Sequence, residues 1–232
     1  MKNKIILITG AGDGLGRELS MQVAKIGGTI ILLSKNKSKI EAVYDKITEQ
    51  NYPTPALYPL DLSEATEQDY KNLATEIFNE FGKLDLIIHN AAFFGTSKTI
   101  IGYEYAIWQK VMQTNLNAPY LMTKYLYPLL QKTAKPQIYF TIDNKNTAYF
   151  GAYAISKNAI KTMVKILANE LSVTTIKIQV NGIIPPVMRT NMRAITHPAD
   201  DFVNLANPQN IAQKYIQIIQ NNQETGQIIA IT

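Results

Sequence analysis

Cysteine is absent from the 232 residues, which excludes a disulfide framework, a thiolate nucleophile and a Cys-ligated zinc. Histidine is almost as scarce: His89 and His197 are the two in the chain, too far apart in sequence to suggest a metal cluster, so no metal is expected. Redox compartment stays open. No apolar stretch approaches the length needed to cross a bilayer, and no membrane partner is expected. Met1-Lys2-Asn3-Lys4 and the short apolar run behind it have the outline of a secretory signal, but the run ends in a glycine turn rather than a cleavage site. It is expected to be a first strand, in a soluble cytoplasmic protein. The net charge is +5, yet Lys and Arg are scattered and no block of five like charges occurs. A solvated surface accounts for that excess, and no nucleic-acid partner is expected.

With 46% hydrophobic residues, the chain can bury a substantial core as a single α/β domain over 1–232. Its organising stretch is Thr9-Gly10-Ala11-Gly12-Asp13-Gly14-Leu15-Gly16, after the apolar run Ile5 to Ile8 and before a helical pattern of Leu15, Leu19, Val23 and Ile26. Such a strand, glycine turn and helix let backbone approach a pyrophosphate and aim the positive end of a helix at it. A glycine-rich loop without a ligand is the bland alternative. The spacing Thr-Gly-x-x-x-Gly-x-Gly resembles that of the short-chain dehydrogenase/reductase family. Later segments extend the resemblance over nearly the whole chain. It implies a Rossmann fold: a doubly wound, mainly parallel seven-stranded sheet with helices on both faces. Gly10, Gly12, Asp13, Gly14, Leu15 and Gly16 would then line the dinucleotide.

Thr29 to Leu33 reads as a second, fully covered strand, ending in Ser34-Lys35-Asn36-Lys37. In Rossmann sites an acid here holds the ribose hydroxyls of NAD, whereas a base accommodates the 2′-phosphate of NADP. No acid is present. Lys35, with Ser34 as a candidate hydrogen-bonding partner, favours NADP(H) over NAD(H); lysines decorating a solvated helix are the alternative. A polar helix over about 38–50 carries Ile40, Val43 and Ile47, and Ala56 to Leu60 is a third strand ending in Asp61-Leu62. Asp61 resembles the family's adenine contact, and Asp61 or Ser63 is also placed to cap the next helix. That helix, from about Glu64 to Phe81, carries Tyr70, Leu73, Ile77, Phe78 and Phe81 on one face, with Gly82 as its C-terminal cap.

A fourth strand, Leu84 to Ile88, runs into His89-Asn90-Ala91-Ala92, which looks like the family's Asn-Ala-Gly segment. The resemblance sets Asn90 beside the cofactor and packs His89 against the adenosine. Tyr105, Trp108, Val111 and Met112 begin another helical face, and Asn115 falls where the family has an Asn at a distortion in a long helix. That Asn would hold a water of a proton relay; a helix-junction cap is the other reading. The helix from Leu116 to Leu130 contributes in the family to a four-helix contact, implying a homodimer or homotetramer.

A fifth strand over 137–142 precedes Ala152-Tyr153-Ala154-Ile155-Ser156-Lys157, where Tyr153 and Lys157 share a helix face. Tyr-x-x-x-Lys is common by chance. Joined to the upstream glycine motif, Asn115 and seven strand-like segments in order, it implies hydride transfer between a nicotinamide and a small-molecule carbonyl or alcohol. Tyr153 is the candidate proton donor and acceptor, and Lys157 favours its phenolate and holds the nicotinamide ribose.

One departure stands out. The family places a Ser just beyond strand five, but no Ser lies between Gln137 and Ile155, and the matching position is Asp143, with Thr141 as a substitute if the register shifts. Ionised, Asp143 would raise the phenol's pKa and repel an alkoxide; buried and protonated, it would donate a hydrogen bond. A sixth strand over 176–183 leads into Pro185-Pro186-Val187-Met188-Arg189-Thr190, which looks like the family's Pro-Gly-x-x-x-Thr segment with Pro186 in the glycine position. Pro185 and Thr190 would border the nicotinamide, and residues 191–206 would form a short substrate-side flap. Asn207-Pro208 starts a last helix and 227–231 a last strand. The rival to an enzyme is a non-catalytic dinucleotide-binding protein of the same fold, a sensor or partner subunit.

Overall fold

Runs rich in Ile and Leu become the central strands, covered on both faces, and the chain returns between strands through helices. The computed structural model describes residues 1–232. Its strands are β1 (Ile5–Thr9), β2 (Thr29–Ser34), β3 (Ala56–Pro59), β4 (Leu86–His89), β5 (Gln137–Thr141), β6 (Gln179–Ile184) and β7 (Ile228–Ala230). They lie in the order β3-β2-β1-β4-β5-β6-β7, every neighbouring pair parallel. The order reverses between β1 and β4, and a crevice opens at the carboxyl ends of the strands there.

Alternation along the strands divides the core in two. Leu7, Ile31, Leu33, Ile87 and Ile138 face the layer of α3 (Glu67–Phe81), α5 (Ala118–Leu130) and α6 (Gly151–Ser172). Their neighbours Ile6, Ile8, Ile30, Leu32 and Ile88 face α1 (Gly14–Lys25), α2 (Lys37–Glu49) and α8 (Pro208–Asn221). Each such side chain contributes about 1.5–3 kcal/mol by leaving water. A short α4 (Tyr105–Met112) runs through a π-helical turn over Gln113–Asn117 into α5, and α7 (Asn191–Thr196) lies near the mouth of the crevice. The result is the doubly wound Rossmann-like α/β architecture expected from the sequence, with no helix long and apolar enough to cross a membrane.

Several local readings need correction. Helix α3 starts at Glu67, not Glu64: Thr66 and Asp69 form a reciprocal capping box, while Asp61 accepts from the Ser63 amide and hydroxyl and closes a turn before it. Phe78, read as core, is half exposed with the Lys132 ammonium over its ring, and Tyr105 is 72% exposed. Both sit at the margins of their apolar stripes. His89 does not reach an adenosine site. Strand parity turns it into the same layer as Ile87, where its ring stacks on Phe140 and its Nε2 meets the Thr123 hydroxyl at 3.0 Å. Burial, reinforced by Lys157, lowers its pKa to about 3 and keeps it neutral.

Candidate active site

The glycine turn is closed by contacts that leave no room for side chains. A Cβ on Gly16 would stand 2.1 Å from the Gly10 carbonyl oxygen, and Gly14 has φ +48°, so neither position accepts another residue without strain. Thr9 pins the turn to β4, its hydroxyl accepting from the amides of Asn90 at 3.0 Å and Ala91 at 2.9 Å. The Asn90 side chain donates to the Thr9 carbonyl. Asp13 caps α1 by accepting from the Gly14 amide at 2.7 Å, and its other oxygen takes bonds from Lys39 and Asn191. Burial pushes the Asp13 carboxyl up, but these bonds outweigh it and hold the pKa below its ordinary value.

A cleft of about 610 Å³ runs from this turn across the ends of β4, β5 and β6. Of the expected site residues, Gly10, Asp13, Gly14, Leu15, Ser34, Lys35, Asn90, Asp143, Tyr153, Lys157, Pro185 and Thr190 line it. Gly12 and Gly16 lie behind the wall, packed against Lys39 and Gly10. Leu62 is a core residue, leaving only its backbone to offer a ligand, and Asp61 stands outside the cleft with its carboxylate 4.0 Å from the Lys35 ammonium. Lys35 is 66% exposed along its side chain, free to swing toward an anion.

At the other end of the cleft, α6 presents Tyr153 and Lys157 on one face. The Tyr153 hydroxyl donates to Asp143 Oδ2 at 3.2 Å, and Lys157 Nζ donates to the Thr141 carbonyl at 2.9 Å. The Lys157 ammonium sits 5.9 Å from the centre of the Tyr153 ring. Burial first, and then the Asp143 charge and hydrogen bond, raise the Tyr153 pKa well above its ordinary value. Burial lowers that of Lys157 to about 8, against the opposing pull of Asp143. Thr141 does not stand in for a serine: its hydroxyl is turned to Tyr215 at 3.1 Å and toward Asn90, away from the phenol.

Asn115 is neither exposed to the cleft nor a helix-junction cap. From the π-helical turn its amide clamps Phe93, accepting from the Phe93 N–H at 2.7 Å and donating to the Phe93 carbonyl at 2.9 Å. It also donates to the Ser156 hydroxyl at 3.0 Å, which in turn donates to the Tyr153 carbonyl at 2.8 Å. Asn115 therefore holds the wall behind the phenol.

Sequence reasoning missed Lys39 and a largely apolar rim of Phe93, Phe94, Phe150, Met192 and His197. Phe94 lies 5.5 Å from the Tyr153 ring and packs edge-on against Phe150, whose ring faces His197. No periodicity links these positions, because separate loops bring them together. The residues past Thr190 leave and return at one place, where Met188 bridges Ala206 and the Arg189 amide donates to the Ala206 carbonyl at 3.0 Å. Thr190 caps α7 by accepting from the Arg193 amide.

Comparison with known proteins agrees with this fold. The model of the short chain dehydrogenase family matches residues 4–201. An uncharacterised oxidoreductase of Escherichia coli K12, YciK, is 36% identical over 231 aligned positions, covering 97% of this chain and 90% of the relative. A candidate short chain dehydrogenase of Shigella flexneri 2a, solved with NADP, superposes with a TM-score of 0.94 at 35% identity over 99% of this chain and 97% of the other. One from Escherichia coli CFT073, solved with NADPH, gives 0.93 at 35% identity over the same shares.

Proposed function

The chain belongs to the short-chain dehydrogenase/reductase family of oxidoreductases, and from that premise we propose that it is an NADP(H)-linked enzyme working by hydride transfer, one domain over 1–232 with a flap at 191–206. The observation that carries this reading is that one cleft is lined both by the Gly10 and Gly14 turn and by the Tyr153–Lys157 pair. The cradle fits a dinucleotide, since Gly10, Gly14 and Leu15 at the start of α1 line the cleft and the two glycines put no side chain in the way of an anion. Such a cofactor supplies the hydride.

The chain's own residues do the rest. The α1 terminus receives the pyrophosphate, Lys35 and Lys39 meet the 2′-phosphate, and Ser34 supports them with its hydroxyl. Pro185 and Thr190 border the nicotinamide, and Lys157 holds its ribose while favouring the ionised phenol. Tyr153 moves the proton at a reacting oxygen, and Asn115 keeps Phe93 and the α6 start in place behind it. Exposed Tyr120 on α5 and Ile166 on α6 support a homodimer formed through those helices. The contact between Asp143 and the phenol favours a second reading, a nucleotide-binding protein without turnover.

Fluorescence titration with NADPH and NADH tests the cofactor assignment. The wild type is expected to prefer NADPH. Lys35→Ala is expected to weaken NADPH binding about tenfold or more, the scale of one charged hydrogen bond, with NADH binding little changed. Equal losses for both cofactors would remove Lys35 from that role. Turnover with NADPH on a panel of carbonyl and imine compounds separates the enzyme from the non-catalytic binder.

A further inference from the structure

Resting on the oxidoreductase reading above, we propose that the acceptor is a carbon–nitrogen double bond taken as its protonated iminium form, with Asp143 selecting it over a ketone or aldehyde. Asp143 and Tyr153 line the same part of the cleft, the carboxylate accepting from the phenol at 3.2 Å. A ketone that takes up hydride develops negative charge on oxygen. Beside a carboxylate in a partly buried cleft that charge is repelled, and the carboxylate has no proton to donate to it. An iminium brings the opposite charge to the same place. Its N–H is a donor for the free carboxylate oxygen, and its charge is attracted rather than repelled.

Aromatic surface lies beside this pair. Phe93 and Phe94 line the same cleft, Phe94 lies 5.5 Å from the Tyr153 ring that bonds Asp143, and ring faces attract cations. The basic groups nearby keep their charge, but their close contacts are to partners other than Asp143. Lys157 is tied to the Thr141 carbonyl, Lys145 lies 5.3 Å over the Phe150 ring, and Arg193 is paired with Asp200. His197 is held below its ordinary pKa by burial and then by Arg193, so it is neutral at pH 7.

The step balances without a proton from the protein. The iminium carbon gains a C–H bond from the hydride of the reduced nicotinamide, and the π pair of the C=N bond withdraws onto nitrogen, which keeps its proton. A cation and a neutral reductant thus give a neutral amine and the oxidised, cationic nicotinamide. Tyr153 keeps its hydrogen throughout that step. Burial and Asp143 both hold the phenol proton, which hinders a reaction that needs it and leaves this one unaffected.

Matched acceptors decide the question. Dihydroisoquinoline and methylpyrroline are paired with their ketone counterparts tetralone and methylcyclopentanone, using the wild type, Asp143→Asn and Asp143→Ser, each confirmed folded by circular dichroism. The wild type is expected to show kcat/KM for the imines about tenfold or more above the ketones, the scale of losing one buried charged contact. Asp143→Asn should forfeit that preference, and Asp143→Ser should move it toward the ketones.

Calorimetry supplies a readout independent of turnover. Tetrahydroisoquinoline, a cation at neutral pH, is titrated into the protein saturated with NADP+, against neutral tetralin. The amine is expected to bind more tightly, and to lose about tenfold or more in Asp143→Asn. Ketones outpacing imines in the wild type, or equal amine affinity in the wild type and Asp143→Asn, would overturn the proposal. NADPH binding with neither imine reduction nor a preference for the amine overturns the acceptor assignment alone. Failure to bind NADPH overturns the cofactor reading, and the acceptor assignment with it.

Discussion

A phenol whose proton is held by burial and a neighbouring carboxylate is a poor base at neutrality, so the fate of Tyr153→Phe depends on the acceptor. Cofactor affinity is expected to stay near the wild-type value, because the ring remains and Lys157 keeps its Thr141 partner. Ketone reduction should fall about 100-fold or more, the usual worth of a positioned proton donor, and imine reduction much less. Steady-state rates on a matched pair check this; unchanged ketone turnover would remove Tyr153 from the chemistry. At this scale the sequence was informative where spacing is chemistry. Tyr153 and Lys157 are four apart on a helix, and Gly10, Gly14 and Gly16 are a backbone requirement written in residue type. Lys39, Phe94 and His197 were invisible because nothing local marks them. His89 was misplaced because one strand position decides which face a side chain enters, and the end of β4 could not be fixed from the apolar run.

Elements repeat the lesson with boundaries. The strand segments followed from apolar runs and the glycines and prolines between them and the doubly wound sheet from the resemblance, but α3 begins three residues late because Thr66 and Asp69 outcompete Asp61 for the cap. The π-helical turn was legible only through resemblance. Its extra residue per turn swings Asn115 inward, so that one side chain satisfies both backbone groups of Phe93 and reaches Ser156. Asn115→Leu keeps the volume and strands those groups. We expect a loss of about 2–4 kcal/mol in urea unfolding, from unpaired buried polar groups, and a fall in turnover larger than any change in NADPH affinity. A variant as stable as the wild type would mean that the loop at Phe93 finds other partners.

For the whole molecule, the pH response of stability carries the mark of one buried ring. His89 is neutral in the folded chain down to about pH 3, whereas unfolded it takes a proton near 6.5. The unfolded state therefore binds more protons between these values, and stability falls as pH drops through that window. From pH 7 to pH 5 the loss is about 2 kcal/mol for this group. His89→Gln, which retains a partner for Thr123, should flatten that part of the profile in urea midpoints taken across the range. An unaltered slope would assign the acid sensitivity elsewhere. The bridge between Met188 and Ala206 bears on the whole chain in a different way. Because the intervening segment departs and rejoins at one clasp, a protease that nicks it near Asp201 should sever the covalent chain without releasing either piece. The carboxyl-terminal fragment would stay seated through α8 against α1 and through β7 on β6. Nicked protein should therefore elute at the mass of the intact molecule and part into a long and a short fragment only in denaturant, making the two a natural complementing pair.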